Sequence, residues 1–143
     1  MSCLFCQIAS RELASEIVFE DTTCVAFLDN RPLFPGHVLL IPKRHADTLP
    51  DLPDDLIAPL FSNTKMLARA VESALECDGT FVAVNNRVSQ SVPHLHVHIV
   101  PRKHKDGMKG FFWPRNPYKD DEHIKSVADA IRRAIPGAVY GIM

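Results

Sequence analysis

Hydrophobic and polar positions in the first third of the chain run in short blocks separated by turn-forming residues. Residues 16–20 read EIVFE and residues 24–28 read CVAFL, both rich enough in β-branched and aromatic side chains for strands. Asp21, Thr22 and Thr23 between them suit a tight turn. Residues 29–36 carry two prolines and a glycine and predict an ordered loop, after which residues 37–41 return to strand character. From about residue 54 to residue 76 the period becomes helical. Ile57, Leu60, Phe61, Thr64, Leu67, Ala68, Val71 and Leu75 fall on one stripe. Asp54 or Asp55 can cap this helix, Pro59 argues that its regular part starts nearby, and Asp78-Gly79 stops it. Residues 80–84 and 94–100 read as two more strands, joined by NNRVSQSVP. A basic stretch, RKHKDGMKG, and then FFWPRNPY read as an ordered excursion with little regular structure. Residues 120–135 are helical again, with Ile124, Val127, Ala128, Ile131 and Ile135 aligned, and end at Pro136-Gly137. The order β-β-β-α-β-β-α predicts an α+β fold with an antiparallel sheet and helices over one face. No linker or repeat interrupts it, so residues 1–143 read as a single domain, with 103–143 the less defined part.

The segment 93–100, PHLHVHIV, carries the most chemistry. Period two on a strand sends His94, His96 and His98 to one face and Leu95, Val97 and Ile99 to the other. The apolar side can meet a core. The other side is a row of imidazoles about 6.6 Å apart, which sheet packing does not require. Imidazole at neutral pH serves as nucleophile, proton carrier, anion donor or metal ligand. Adjacent side chains on one strand point roughly parallel and converge poorly on a single ion. The amides and hydroxyls of NNRVSQS before the segment, and Arg102 after it, favour anion chemistry.

Composition narrows the field. Sixteen Lys and Arg against seventeen Asp and Glu give a formal net charge of -1, so no global positive field holds nucleic acid or an anionic membrane. The longest uninterrupted apolar run is four residues, 38–41, far short of a membrane span. The start, MSCLFCQIAS, lacks the layout of a secretory signal, and the expectation is a cytoplasmic protein. Of four cysteines, Cys24 and Cys77 read as small buried or half-buried thiols. Cys3 and Cys6 form a CxxC with only two residues before it, an unsuitable context for thioredoxin-like chemistry. The spacing lets two thiolates reach one tetrahedral zinc, with two more ligands needed from elsewhere.

HLHVHIV, together with CLFCQI, FLDNRPLFPGHVLLIPKRH and SQSVPHLHVHIVPR in this order and spacing, resembles the histidine triad family of nucleotide hydrolases and transferases. The resemblance covers roughly residues 3 to 102, and FFWPR resembles a stretch in some bacterial members. It implies a five-stranded antiparallel sheet with two principal helices, joined into a ten-stranded sheet in a homodimer. It implies hydrolysis of a nucleoside-linked phosphate, a phosphoramidate or a dinucleoside polyphosphate, with a purine nucleotide as the partner. On matching positions His96 is the nucleophile that forms a covalent nucleotidyl-imidazole, and water then releases the nucleoside monophosphate. His98 contacts the phosphate and leaving group, and His37 supports the nucleophile. Gln90 and Ser91 match phosphate-side donors, Asn85 matches the substrate-side asparagine that begins this loop, Asp29 matches a ribose ligand, and Phe5, Ile8 and Phe27 fit the base cleft. Bacterial relatives imply one structural zinc on Cys3, Cys6, His45 and His94, with no organic cofactor. The same intermediate intercepted by a phosphate acceptor gives a transferase, and binding with little turnover gives an interaction protein. The run from Arg102 to Lys109 reads either as a solvated loop or as a contact for distal phosphates or a polyanion, Trp113 can stack a distal base, and His104 and His123 read as solvent-facing. One departure stands out: family members carry a glycine-containing NxGxxxGQ-like loop where this chain has the shorter, glycine-free NNRVSQ.

Overall fold

The computed structural model describes residues 3–108 and 115–137. The chain divides into two compact units, Met1–Asp106 and Gly107–Met143. The first carries helix α1 (Leu4–Ala9), strands β1 (Ile17–Glu20), β2 (Cys24–Leu28) and β3 (Val38–Pro42), helix α2 (Ile57–Leu75), and strands β4 (Gly79–Val84) and β5 (Val97–Arg102). Two single-turn 3₁₀ segments, Leu49–Asp51 and Asp54–Leu56, lead into α2. Pro59 is the third residue of α2, in the first turn, where its missing N–H costs nothing. The β1–β2 turn is built by the Asp21 carboxylate, which accepts from the backbone N–H of Thr23 and of Cys24 at 2.8 Å each. The second unit holds helix α3 (Asp121–Ala134), capped by Asp120, whose side chain accepts from the His123 N–H.

The sheet is antiparallel, in the order β1-β2-β3-β5-β4. Its two faces have different covers. Ala26, Val38, Leu40, Val97 and Ile99 meet Leu60, Leu67 and Val71 of α2. On the opposite face Val25, Phe27, Leu39 and Ile41 meet Phe5 and Ile8 of α1. The expectation of helices over one face is therefore corrected. The short α1 was not foreseen and covers the other face, because its two large apolar residues sit three apart and bury together.

The last strand is also shorter at its start than the alternation suggested, beginning at Val97 and not at residue 94. The Leu95 N–H donates to the Ala46 carbonyl at 2.7 Å and the His94 N–H to Val92 at 2.8 Å, so this stretch is held by loops instead of by β3 and β4. The alternation itself persists: Leu95, Val97 and Ile99 all lie in the α2-side core. His123, expected at the surface, is half-buried; its Nδ1 accepts from the Lys119 N–H and its ring packs edge-on to Tyr118. Lys109 and Trp113 lie outside the described residues, as do the rest of 109–114.

Candidate active site and a neighbouring Cys-His cluster

The register places the histidines of the 94–98 segment. Phe27 on β2 pairs with Leu39 on β3, Leu39 with His98 on β5, and His98 with Ala83 on β4. That cross-strand row puts His98 on the α1 face of the sheet, beside Phe27 and Leu39. Phe5, Ile8, Phe27, Asp29, Arg31, Ser91, His96 and His98 line a cleft of about 740 Å³ on that face. Phe5 stands edge-on to both Phe27 and His96, with ring centroids 5.2 and 5.0 Å away. His96 and His98 have centroids 4.9 Å apart, nearer than a flat strand would hold them, because His96 precedes the strand.

Fixed donors and acceptors determine which ring nitrogen carries each proton. A carbonyl only accepts, so His96 Nδ1, 2.7 Å from the His94 carbonyl, is protonated, and the Nε2 lone pair is free to react. A backbone N–H only donates. Leu33 N–H lies 3.1 Å from His37 Nδ1, so that nitrogen accepts and the proton is on Nε2. His37 Nε2–H then donates to His98 Nδ1 at 3.0 Å, which leaves the His98 proton on Nε2. That His98 Nε2 is buried and has no hydrogen-bond partner among the described residues. The row thus presents one lone pair and one unsatisfied donor side by side at the cleft wall.

Burial favours the neutral forms of His98 and His37. Burial, followed by the neighbouring His96 and His37, pulls the His98 pKa down to about 4. Burial also lowers His37, opposed by the Asp29 carboxylate, whose Oδ2 lies 3.8 Å from His37 Nδ1. His37 is held by a tight loop. Gly36 has φ +99°, and a Cβ there would lie 2.2 Å from Leu75 Cδ1, so only glycine fits.

Of the other expected residues, Ser91 lines the cleft, while Asn85 follows β4 directly, half-buried and outside the lining. Both ends of the Gln90 amide are engaged inside the protein. Its oxygen accepts from the Arg87 N–H at 2.8 Å, and its nitrogen donates to the Asp47 carbonyl at 2.6 Å. Arg102 forks onto Asp106, and Lys103 and Asp106 line a separate pocket with Phe34 and Leu75.

Cys3, Cys6, His45 and His94 converge, one ligand atom from each lying within 4.8 Å of the others. Their orientation follows the same proton logic. His94 Nε2–H donates to the Pro42 carbonyl at 2.8 Å, and His45 Nε2–H to the Asp47 carboxylate at 2.6 Å. Both rings therefore turn an Nδ1 lone pair toward the thiols. Cys3 Sγ is 3.3 Å and Cys6 Sγ 3.5 Å from His94 Nδ1; Cys6 Sγ is 3.4 Å from His45 Nδ1. The S···N edge of a tetrahedral ZnS₂N₂ site is about 3.6 Å, so the four residues fit that ion. Burial, then Cys3, pushes the Cys6 thiol up to about 11. A dication between the sulfurs would reverse that preference. Asp47, which orients His45, and Arg31 in the cleft were not singled out from the sequence; the carboxylate two residues after His45 was the available signal for Asp47.

A HIT domain matches residues 10–105. The chain belongs to the HIT family. Adenylylsulfatase HINT3 of Arabidopsis thaliana is 33% identical over 138 residues, covering 92% of this chain and 68% of that protein. Adenosine 5'-monophosphoramidase hnt1 of Schizosaccharomyces pombe is 32% identical over 136 residues, covering 94% and 99%. Among solved structures, a HIT family member from Bacillus subtilis superposes with a TM-score of 0.87 at 30% identity, covering 96% and 100%. A zinc-bound histidine triad protein from Mycobacterium smegmatis gives 0.72 at 32% identity, covering 91% and 98%. The fold is thus shared with these solved structures, and no helix among the described residues is long and apolar enough to cross a membrane.

Proposed function

We propose that this chain hydrolyses a nucleoside monophosphate ester of a small leaving group, a phosphoramidate or a mixed anhydride, through His96. The observation that carries the reading is the pairing of the free His96 Nε2 lone pair with the unsatisfied His98 Nε2–H in one cleft wall. His96 Nε2 attacks the α-phosphorus and the bond to the leaving group breaks, while the His98 Nε2–H hydrogen-bonds to the departing atom, which takes its proton from solvent. His37 Nε2–H, bonded to His98 Nδ1, holds the His98 ring in the tautomer that points this N–H into the site. Water then attacks the nucleotidyl-imidazole, returns a proton to solvent and releases the nucleoside monophosphate with His96 neutral again. Phe5, Ile8 and Phe27 seat a purine base, Asp29 the ribose, and Ser91 a phosphate oxygen.

The charge of the cleft supports a small leaving group over a second nucleotide. Among the described lining residues Arg31 is the one cation, whereas Arg102 is paired with Asp106 and Lys103 lines another pocket. The relatives active on adenylyl sulfate and on an adenosine phosphoramidate fit this choice. The Cys-His cluster holds one structural zinc that fastens α1, and with it Phe5 and Ile8, to the sheet. A reduced Cys3 and Cys6 require a reducing compartment such as the cytoplasm. Phe61 and Leu75 on α2 and Val82 on the edge strand β4 are about 40% exposed (41, 40 and 43%), a surface suited to a twofold mate and a continuous sheet.

The test is a product survey by mass spectrometry, offering adenosine and guanosine phosphoramidates, adenylyl sulfate and dinucleoside tri- and tetraphosphates. The small-leaving-group substrates should win by roughly tenfold or more in kcat/KM. A dinucleoside polyphosphate turned over faster than all of them would overturn the substrate class.

A further inference from the structure

The loop that leads to the triad is unusual in its backbone. Arg87 has φ +72° and Ser89 φ +60°, two left-handed residues in the six of NNRVSQ, neither a glycine. Such a conformation persists only where its surroundings hold it. Three hydrogen bonds do so. Gln90 Oε1 accepts from the Arg87 N–H, closing the loop on itself, and Gln90 Nε2–H donates to the Asp47 carbonyl. Asn86 Oδ1 accepts from the Leu49 N–H at 2.9 Å. The loop is therefore docked on residues 47–49, which follow directly from His45. Asp47 is the joint, because its carboxylate orients the His45 ring at 2.6 Å while its carbonyl receives Gln90. Beyond the loop, Ser91 lines the cleft. The other histidine of the cluster acts in parallel, since the His94 carbonyl fixes the protonated nitrogen of His96.

We infer that Gln90 and Asp47 are positioning residues that lock the 85–91 loop to the Cys-His cluster, so that metal retention and placement of the phosphate-side groups depend on each other. These two contacts commit one oxygen lone pair and one N–H of the Gln90 amide to the protein itself. Its contribution is made through the loop. The inference builds on the function proposed above but is read through separate observables.

The experiment compares zinc-loaded wild-type protein with Gln90→Ala and Gln90→Glu. Three quantities are followed: zinc release to a chromogenic chelator, amide exchange at Arg87, and kcat and KM on adenosine phosphoramidate. Gln90→Ala should release zinc about tenfold faster, expose the Arg87 amide, and lower kcat about tenfold with KM within about twofold. Gln90→Glu keeps the acceptor for the Arg87 N–H but has no donor for the Asp47 carbonyl. It should protect the Arg87 amide yet release zinc as fast as Gln90→Ala. Should Gln90→Ala not fold, Gln90→Glu alone carries the comparison. A raised KM with unchanged zinc release and unchanged kcat would make Gln90 a direct substrate ligand and overturn the inference. Unchanged zinc release in both variants would overturn it as well. If the wild-type protein turns over no phosphoramidate, the proposed function fails, and zinc release and amide exchange still decide this inference.

Discussion

His94 and His96 are two residues apart on one segment and face the same side of the sheet, yet they are prepared for different work. His94 gives its Nε2 proton to the Pro42 carbonyl and turns Nδ1 toward two thiols. His96 gives its Nδ1 proton to the His94 carbonyl and leaves Nε2 facing the cleft. The side chain is the same in both cases; the backbone acceptor chooses the reactive nitrogen. In the proposed reading one imidazole serves as a ligand beside two thiols, and the other as a nucleophile beside a buried N–H donor. The neighbouring constellations also differ in depth. His94 is fully buried, whereas His45 and Asp47 on the outer side of the cluster are exposed, so the Cys-His cluster is anchored inside and open to solvent outside.

Substitutions should separate the two halves. His96→Ala removes the reacting atom itself, so kcat should fall by about 10³-fold or more, with zinc content and nucleotide affinity nearly unchanged. Steady-state kinetics beside metal analysis checks this. His98→Ala removes the donor but keeps the nucleophile, and a loss of roughly 10²-fold in kcat is expected. That loss should shrink for substrates with better leaving groups, because the departing atom then carries less charge for the His98 N–H to stabilise. Cys3→Ala should do the reverse of His96→Ala. Zinc is lost and Tm falls by roughly 10 °C, about 3 kcal/mol for a domain of this size, while kcat in the cold stays within about tenfold. Calorimetry with and without chelator measures it.

Much of this division was visible in the residues before the fold was known. The alternation of HLHVHI marked one apolar and one imidazole face, and Leu95, Val97 and Ile99 do lie in the core beneath α2. The strands came close to their observed limits because β-branched blocks and the Asp21 and Pro35-Gly36 turns bracket them. Other features were not legible. The helix α1 is six residues long, too short for periodicity to declare, and exists because Phe5 and Ile8 bury against the sheet. The late start of β5 depends on a bond to Ala46, forty-nine residues away in sequence. Gln90 matches a phosphate-side position in the linear chain; only the fold shows both ends of its amide engaged within the protein.

The smallest expected effect is on pH dependence. In the folded protein His98 titrates at about 4, below the ordinary histidine value near 6.5, chiefly because it is buried. The unfolded chain therefore binds the extra proton first as pH falls. Stability contributed by neutral His98 is complete above about pH 6.5 and is lost progressively down to about pH 4. In denaturant titrations across that window His98→Asn should flatten the slope. A slope unchanged by the substitution would mean that His98 is not held neutral by burial.

The claim that orders the whole site is that His96, and not a neighbouring imidazole, makes the covalent bond. Rapid quench with a nucleoside phosphoramidate labelled at the α-phosphate tests it directly. The label should appear on His96 within one turnover, be stable to base and lost in acid, and be absent from the His96→Ala protein. Label on His98 or His94, or full-rate turnover by His96→Ala, would contradict the account.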